Sequence, residues 1–453
     1  MIIQEYELGN YLFLIYIIKI CNQTHMVPNL PQWGIDPVPP KHRVLGGFHY
    51  FILWSSLGVG LLVFSAGSFL SDAPFYHALL AIIIGSIAGS VLLSMAGKIG
   101  SDHAVPSIIG IRPAFGLYGS YLAAVLNIIQ LIGWTTFEIL ILSKAAEQLT
   151  NMNVTFVWNI LFGVVITLLG IFGPLFVVKQ WLSKFAIWIV YASSAIILVT
   201  LLFQNLPNVM SEESNDMSFF VALDIVIAMP ISWMPLVSDY NRFSKTSKGA
   251  FIGTLVGFSI TNIIFYVGGL LFGVGDISSI IISIQAIFFG FILLVMIVDE
   301  IDNAFADIYS AAISSQNIFH NLNQRHLIIG FSAVSTILAI FVSIEGYEQF
   351  LFLIGALFIP LFGVLLTDYF VISRGRYQHD MMYGNNIIKI GYPAIVAWFA
   401  GALTYYLLSQ LSPIYLSQLP TIGSTIPSLV VSSLLYLLIT KLVLKFKASK
   451  TPV

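Results

Sequence analysis

Long apolar runs separated by short polar connections recur along the chain from residue 48 onward. Each run is long enough to cross a bilayer, which takes about 20 residues of α-helix. Because backbone groups find no water in hydrocarbon, each run is predicted to be helical. The predicted spans are residues 48–70, 75–97, 117–143, 155–178, 183–204, 218–238, 250–273, 283–314, 326–344, 349–372, 390–409 and 424–444. The pattern therefore predicts an all-α integral membrane protein with twelve transmembrane helices.

The composition agrees with this prediction. Of the 453 residues, 58% are hydrophobic and only 9% are charged, whereas soluble proteins carry about a quarter charged residues. Lipid must therefore cover most of the surface. The net charge of −2 gives no indication of a nucleic-acid partner, and the single Cys21 excludes a disulfide framework. We predict no cofactor and no obligate protein partner; the bilayer and a small solute are the expected partners.

The chain divides into three predicted parts. The apolar stretch at residues 11–18 is too short to span a bilayer, and no basic segment precedes it as in a signal peptide. Residues 1–32 are therefore predicted to be an amphipathic or disordered extension, to which we assign no function. Residues 33–445 form the predicted membrane domain, and residues 446–453 form a tail.

The basic residues predict the orientation. If the N-terminus is cytoplasmic and there are twelve spans, every one of the 19 Lys and Arg residues except Lys144 falls on the cytoplasmic side. Basic residues favour that side of a membrane, and one missed span would scramble the pattern. We therefore predict a multi-pass protein of the plasma membrane with both termini in the cytoplasm.

Two spans contain residues that interrupt helices. The first span carries Gly58 and Gly60, and the sixth carries Pro230 and Pro235. The alternative is that Gly and Pro are simply frequent in membrane helices. Spans one and six are the first helices of two successive sets of five. Interruptions at the same position in both sets indicate a transporter with a midplane site. The two repeats and the extra helices are predicted at about residues 48–204, 218–372 and 390–444.

Acidic residues within the spans are the second indication of a site. Span three contains Glu138, and helical spacing in span eight places Glu300, Asn303 and Asp307 on one stripe. Two further acidic residues of span eight lie on the adjacent stripe, Asp299 and Asp302. These carboxylates cannot all be ionised together in a low dielectric, so some must be protonated, bind a cation or reach water. The alternative is that one or two of them, Asp299 above all, lie solvated near a helix end.

Trp134 lies one turn before Glu138 on the same face of span three. A flat ring can stack on a tryptophan, and a carboxylate beside it suits a ring that bears an amino group. Trp54, Phe64 and Trp233 lie near the interrupted stretches. In a chain with 14% aromatic residues, single aromatic side chains more often serve packing.

Four strings resemble the nucleobase–cation symporter family, which comprises the purine/cytosine permeases and hydantoin transporters. They are WGIDPVP at 33–39, IRPAFGLYG at 111–119, SDYNRF at 238–243 and PLFGVLLTDYF at 360–370. The resemblance implies an inverted five-plus-five repeat of the leucine-transporter type with two extra C-terminal helices. The string GWTTFE at 133–138 looks most like the hydroxymethylpyrimidine transporter branch, which imports a thiamine precursor.

The resemblance also implies a binding site. Trp134 matches the family's stacking tryptophan, and Glu138 stands where other members often carry glutamine. A carboxylate accepts hydrogen bonds only, which favours an aminopyrimidine over a hydantoin. Residues 228–233 match the unwound stretch of span six, and residues 58–62 match the carbonyls of span one. The expected substrate-binding residues are Trp134, Glu138, Gly60, Phe64, Met229, Pro230, Trp233 and Asp307.

The expected cation site departs from the family pattern. The family binds sodium with a Ser/Thr pair on span eight, where this chain has Asp302 and Asn303. A carboxylate can hold Na⁺, and an intramembrane carboxylate also suits proton coupling, so both ions stay open. The residues expected to couple the ion are Gly58, Leu61, Asp302, Asn303 and Glu300, of which all but Glu300 would hold Na⁺.

These observations predict a secondary active transporter that imports a pyrimidine-type solute, hydroxymethylpyrimidine first, by cation-coupled alternating access. The alternatives within the family are permeases for cytosine, another nucleobase, allantoin or a hydantoin. The alternative from another class is an intramembrane enzyme that depends on carboxylates or a metal. The sequence lacks a His–Glu zinc motif and a protease signature, so we predict that the protein is not an enzyme.

Overall fold

The computed structural model describes residues 33–173, 187–211, 217–273, 277–384, 387–409 and 423–448. The predicted extension at residues 1–32 and the end of the predicted tail lie outside these ranges. The helices used below are α1 Gly47–Ser56, α2 Leu61–Ser68, α3 Phe75–His103, α4 Arg112–Thr150, α5 Thr155–Phe172, α6 Ile187–Ser211, α7 Phe219–Ser232, α8 Val237–Asn241, α9 Ser247–Phe272, α10 Ile277–Ala286, α11 Phe291–Ile318, α12 Gln324–Phe341, α13 Tyr347–Leu366, α14 Tyr392–Leu408 and α15 Thr425–Ala448.

The helices correspond to the predicted spans. Within the described ranges, nine helical segments are long and apolar enough to cross a membrane, and the bent pair of α1 and α2 makes a tenth. Two shorter apolar helices, α7 and α14, coincide with the predicted sixth and eleventh spans. The all-α membrane fold is therefore confirmed, whereas the count of twelve crossing helices stays a prediction.

Three groups of helices pack together in the described part of the chain. Helices α1, α2, α7 and α8 pack around α3 and α9, while α4 and α11 pack on each other and on α5 and α12. The third group consists of α13, α14 and α15. The acidic residues of α11 that the sequence singled out lie where the second group meets the break between α1 and α2.

Glycines allow α1 and α9 to approach closely. A Cβ added to Gly257 of α9 would lie 2.5 Å from the carbonyl oxygen of Phe51 and 3.1 Å from the amide nitrogen of Ser55. Membrane helices use small residues in this way to bring their backbones together. The first group is therefore held by contacts that leave no room for a side chain at this position.

The Gly257→Ala substitution is expected to lower the apparent stability of the protein by about 1–3 kcal/mol, because the added methyl group must push two backbones apart. Thermal denaturation of the purified protein in detergent measures this effect. The matched control is Gly330→Ala on α12, where an added Cβ would have no atom within 4 Å among the described residues. Equal denaturation midpoints for the two variants would contradict the packing argument.

The interruption predicted in span one is present. Helix α1 ends at Ser56, α2 begins at Leu61, and the two segments are bent by 63°. The amide of Val59 donates to the carbonyl of Ser56 at 2.9 Å, and Gly60 is extended. The break exposes backbone groups within the bundle, and these groups need partners from elsewhere.

The interruption in span six is present, but the predicted position, residues 228–233, is wrong. Helix α7 continues through Pro230 to Ser232, and the break covers residues 233–236, which include Pro235. Neighbouring helices can preserve a membrane helix around a proline. Here the ring of Pro230 packs on α3, where a Cβ on Gly89 would lie 2.8 Å from its Cγ.

Candidate functional site

Trp134 is held on α4 by aromatic rings from α13. Its ring centroid lies 5.9 Å from that of Tyr347 and 5.4 Å from that of Phe350, with interplanar angles of 71° and 74°. Such edge-to-face contacts stabilise a ring in one orientation. The Trp134 side chain is only 7% exposed, so the indole is positioned inside the bundle, away from lipid.

Glu138 lies one turn further along α4 and faces the acidic residues of α11. It is 3% exposed, and its carboxyl interacts electrostatically with Glu300, Asp307 and Asp299. Among the described residues, its Oε2 atom has no hydrogen-bond partner. The structure therefore brings the acidic residues of spans three and eight together, as the repeat argument predicted, and leaves an acceptor unused.

Residues of α11 satisfy the backbone at the break between α1 and α2. The amide of Leu61 donates to Glu300 Oε2 at 2.8 Å, and Asn303 Nδ2 donates to the carbonyl oxygen of Val59 at 2.8 Å. A Cβ on Gly60 would lie 3.4 Å from both Glu300 Oε2 and Asn303 Nδ2. One carboxylate and one amide, a turn apart, thus provide the acceptor and the donor that the broken helix lacks.

Ser56 connects the end of α1 to the other acidic stripe. Its hydroxyl donates to Asp299 Oδ1 at 2.9 Å and lies 3.5 Å from Asp302 Oδ2. Asp299 is 4% exposed, which contradicts the alternative that it lies solvated at a helix end. Both aspartates therefore belong to the buried polar contact between α1 and α11.

The residues expected to hold sodium are only partly brought together. Asp302 and Asn303 reach the break, whereas Gly58 packs against the side chain of Thr261 on α9 and the amide of Leu61 faces Glu300. Three buried oxygens at the break lack hydrogen-bond partners in the described part of the chain: Asp299 Oδ2, Glu300 Oε1 and Asn303 Oδ1. Hard cations prefer oxygen ligands, and these atoms are oxygens, but no three His, Cys, Asp or Glu side chains of the described residues cluster as metal ligands.

Several residues expected at the substrate site contact other parts of the bundle. Phe64 packs on α9, where a Cβ on Gly268 would lie 2.7 Å from its ring and where Phe272 lies 6.4 Å away. Trp233 stacks edge-on against Trp54 at 6.1 Å, and Met229 is buried on α7. The contacts described for Phe64, Trp233 and Pro230 are with α1, α3 and α9, and they do not include Trp134.

Tyr347 is a site residue that the sequence analysis missed. Its ring contacts Trp134 and Phe137, and its hydroxyl donates to the carbonyl oxygen of Leu62 at 3.3 Å. It also interacts electrostatically with Glu138 and Glu300. The sequence offers no signal for it, because it is one of 20 tyrosines. Ser56 could have been predicted from its position, since a hydroxyl just before the glycine break can reach facing carboxylates.

A second polar pair lies one and two turns before Trp134 on α4. Gln130 Nε2 donates to Asn127 Oδ1 at 2.8 Å, and Asn127 Nδ2 donates to Ser314 Oγ of α11 at 2.9 Å. Within the described ranges, the buried Gln130 Oε1 has no partner. This pair extends the polar contact between α4 and α11 toward the predicted cytoplasmic side.

Two broken helices beside buried carboxylates in a bundle of membrane helices define the class of secondary transporters. Residues 37–403 match the family described as "Permease for cytosine/purines, uracil, thiamine, allantoin". Because the match covers most of the chain, this protein belongs to that permease family. It is a membrane permease and not an enzyme, as predicted.

Individual relatives agree with the family assignment. The chain is 24% identical to the cytosine permease of Escherichia coli (strain K12) over 375 residues, which are 79% of this chain and 85% of that protein. It is also 24% identical to the putative allantoin permease of the same strain over 396 residues, 77% and 81% of the two chains. Both relatives are named as permeases.

Solved structures confirm the fold of the leucine-transporter type. Mhp1, a nucleobase-cation-symport-1 family transporter in a closed conformation with bromovinylhydantoin bound, matches with a TM-score of 0.76. The match covers 92% of this chain and 97% of Mhp1 at 18% identity. A Na⁺-coupled sialic acid symporter matches with a TM-score of 0.63 at 13% identity, over 88% and 91% of the two chains.

Proposed function

We propose that this permease imports a flat pyrimidine-type solute that bears an amino group, with hydroxymethylpyrimidine as the first candidate. Uptake is coupled to a cation and proceeds by alternating access across the plasma membrane, with both termini in the cytoplasm. The observation that carries the proposal is the placement of Trp134 and Glu138 on one face of α4, buried and opposite the acidic stripe of α11.

Trp134 and Glu138 would bind different parts of the solute. The indole of Trp134, held by Tyr347 and Phe350, provides a face on which a heterocycle stacks. The Glu138 carboxyl provides acceptors for an exocyclic amine, and its free Oε2 is a buried polar atom whose desolvation a solute donor would offset. Gly60 and Asp307 remain in the proposed site, whereas we leave out Phe64, Pro230, Met229 and Trp233.

Coupling takes place at the break between α1 and α2. Glu300, Asp302 and Asn303 would hold the cation, which would offset the negative charge that these residues bring into the bundle. The hydrogen bonds from Leu61 to Glu300 and from Asn303 to Val59 join the first helix group to the second. Rocking of the first helix group against the second must rearrange these hydrogen bonds. Binding of the ion and binding of the solute would therefore both shift the equilibrium of this one movement.

A second candidate is a permease for cytosine, another nucleobase or allantoin. The family description and the names of the Escherichia coli relatives favour it. Cytosine carries an exocyclic amine and would also pair with Glu138, whereas allantoin presents mainly amide groups. The solute panel below separates these candidates.

The test is uptake by the purified protein in proteoliposomes with a panel of labelled heterocycles, under Na⁺ and pH gradients imposed separately. We expect hydroxymethylpyrimidine to accumulate chemically unchanged, cytosine to follow, and hydantoin and allantoin to accumulate least. The gradient that drives accumulation identifies the coupling ion. Protein-free liposomes are the control, and accumulation of none of the heterocycles would contradict the proposal.

A further inference from the structure

Four buried oxygen acceptors on the facing helices α4 and α11 lack a hydrogen-bond partner in the described part of the chain. Glu138 Oε2 and Gln130 Oε1 lie one turn to either side of Trp134 on α4, and Glu300 Oε1 and Asn303 Oδ1 lie at the break between α1 and α2. Among the described residues, every buried side-chain nitrogen has a hydrogen-bond partner, whereas a few buried hydroxyls, such as that of Ser310 on α11, have none. Because an unused buried acceptor costs free energy, a ligand that fits this site must supply donors.

The same region contains several carboxyl groups, and the helices that carry and face them contain few basic residues. Helices α2, α7, α11 and α13 contain no Lys, Arg or His residue, and α4 contains only Arg112 and Lys144, near its two ends. Arg112 is directed to Asn317 and to the carbonyl oxygen of Met382. Glu138 meanwhile interacts with Glu300 and Asp307. A bound ligand with positive charge would stabilise the ionised form of Glu138, which the neighbouring carboxyls disfavour, whereas a neutral ligand would not.

We infer that the site binds its solute as a planar amidinium cation, such as a pyrimidine ring protonated beside an amino group. An amidinium presents two adjacent N–H groups, which match the two oxygens of a carboxylate. Glu138 is the residue placed to take this edge while the ring lies on Trp134. Glu300 Oε1 and Asn303 Oδ1 stay with the coupling cation at the break. The inference rests on the proposed function and adds that the substrate is positively charged and donates hydrogen bonds to the site.

Imide-type rings present hydrogen-bond acceptors along the edge where an amidinium presents only donors. Uracil and hydantoin alternate carbonyl oxygens with N–H groups, so a carbonyl oxygen of either ring would meet a carboxylate oxygen at this site. A site that leaves polar groups unpaired with the wrong ligand discriminates strongly against it. The unpaired acceptors therefore favour amino-substituted rings over their oxo counterparts.

The test is equilibrium binding to the full-length protein in lipid nanodiscs, followed by tryptophan fluorescence, with two pairs of matched probes. The first pair is uracil and the diaminopyrimidine that has amino groups in place of both carbonyl oxygens. The second pair is benzamidine, a charged amidinium, and benzamide, its neutral counterpart. We expect the amino and amidinium members to bind at least about tenfold more tightly than their partners, a difference of about 1.4 kcal/mol.

Variants show whether the carboxylates cause this preference. Glu138→Gln is expected to reduce the preference in both pairs to about threefold or less, since an amide adds a donor and removes the charge. The matched control is Glu147→Gln on the same helix, whose side chain bonds to Thr155 at the far end of α4, and it should retain the wild-type preference. Glu300→Gln should lower the preference less than Glu138→Gln does.

Equal or tighter binding of uracil and benzamide would overturn the inference, as would a preference that Glu138→Gln and Glu300→Gln both leave unchanged. Proteoliposome uptake separates this failure from that of the proposed function. If uracil is transported and the diaminopyrimidine is not, the protein is still a pyrimidine permease and the amidinium inference is wrong. If none of the probes binds and no pyrimidine is transported, both are wrong.

Discussion

Uptake of the aminopyrimidine solute is expected to fall at least about tenfold in Trp134→Ala and about equally in Glu138→Gln. Loss of the stacking of a nucleobase-like ring on an aromatic side chain costs about 1–3 kcal/mol. Loss of a hydrogen bond to a charged group costs about 1.5–3 kcal/mol, and each 1.4 kcal/mol is a tenfold change in affinity. Because Tyr347 and Phe350 hold the indole in place, the alanine variant also removes the surface that orients the ring.

Initial rates of uptake in proteoliposomes, normalised to the amount of reconstituted protein, measure this prediction. The control for the tryptophan is Trp188→Ala on α6, whose side chain is 52% exposed. The control for the glutamate is again Glu147→Gln. Rates like those of the wild type in both Trp134→Ala and Glu138→Gln would show that the solute binds elsewhere.

The Glu300→Leu variant is expected to lose both stability and transport. Leucine cannot accept the hydrogen bond from the amide of Leu61, so a buried N–H at the start of α2 would be left unpaired, at a cost of about 1–3 kcal/mol. The half-helix would also lose the carboxylate that faces the positive end of its dipole. Uptake should fall to background, because the break can no longer adopt its present form.

Comparison with Glu300→Gln separates the structural role of this residue from its charge. Glutamine retains an oxygen acceptor for Leu61, so its thermal denaturation midpoint in detergent should stay near that of the wild type while ion-coupled accumulation is reduced. The matched surface control is Glu147→Leu. A midpoint for Glu300→Leu equal to that of Glu300→Gln would contradict the role of this carboxylate in supporting the break.

The sequence was informative wherever the property depends on lipid as the solvent. Apolar runs had to be helices, and charges such as Glu138 and Asp307 had to face the interior of the bundle, which is where they lie. The glycines of span one indicated its break correctly, because they lie at the break itself. Strings spread over most of the chain identified the family, which the match over residues 37–403 confirms.

The sequence was least informative about the direction of individual side chains. Pro230 indicated a break, but packing against Gly89 keeps that turn helical and the break falls at residues 233–236. Phe64 is next to the break in the chain, yet it points to α9. Tyr347 lies far from Trp134 in sequence and reaches it only because α13 crosses that face.

The sequence by itself determined that this protein is a helical membrane permease with carboxylates on spans three and eight and an interrupted first span. Those properties follow from the cost of placing backbone and charge in hydrocarbon, which acts on each segment separately. Only the tertiary structure decided which polar atoms become partners. The bond from Leu61 to Glu300, the bond from Asn303 to Val59 and the unpaired Oε2 of Glu138 depend on how α1, α2, α4 and α11 pack. Hydrogen bonds need atoms within about 3 Å of each other, and only packing brings residues more than 200 positions apart to that distance.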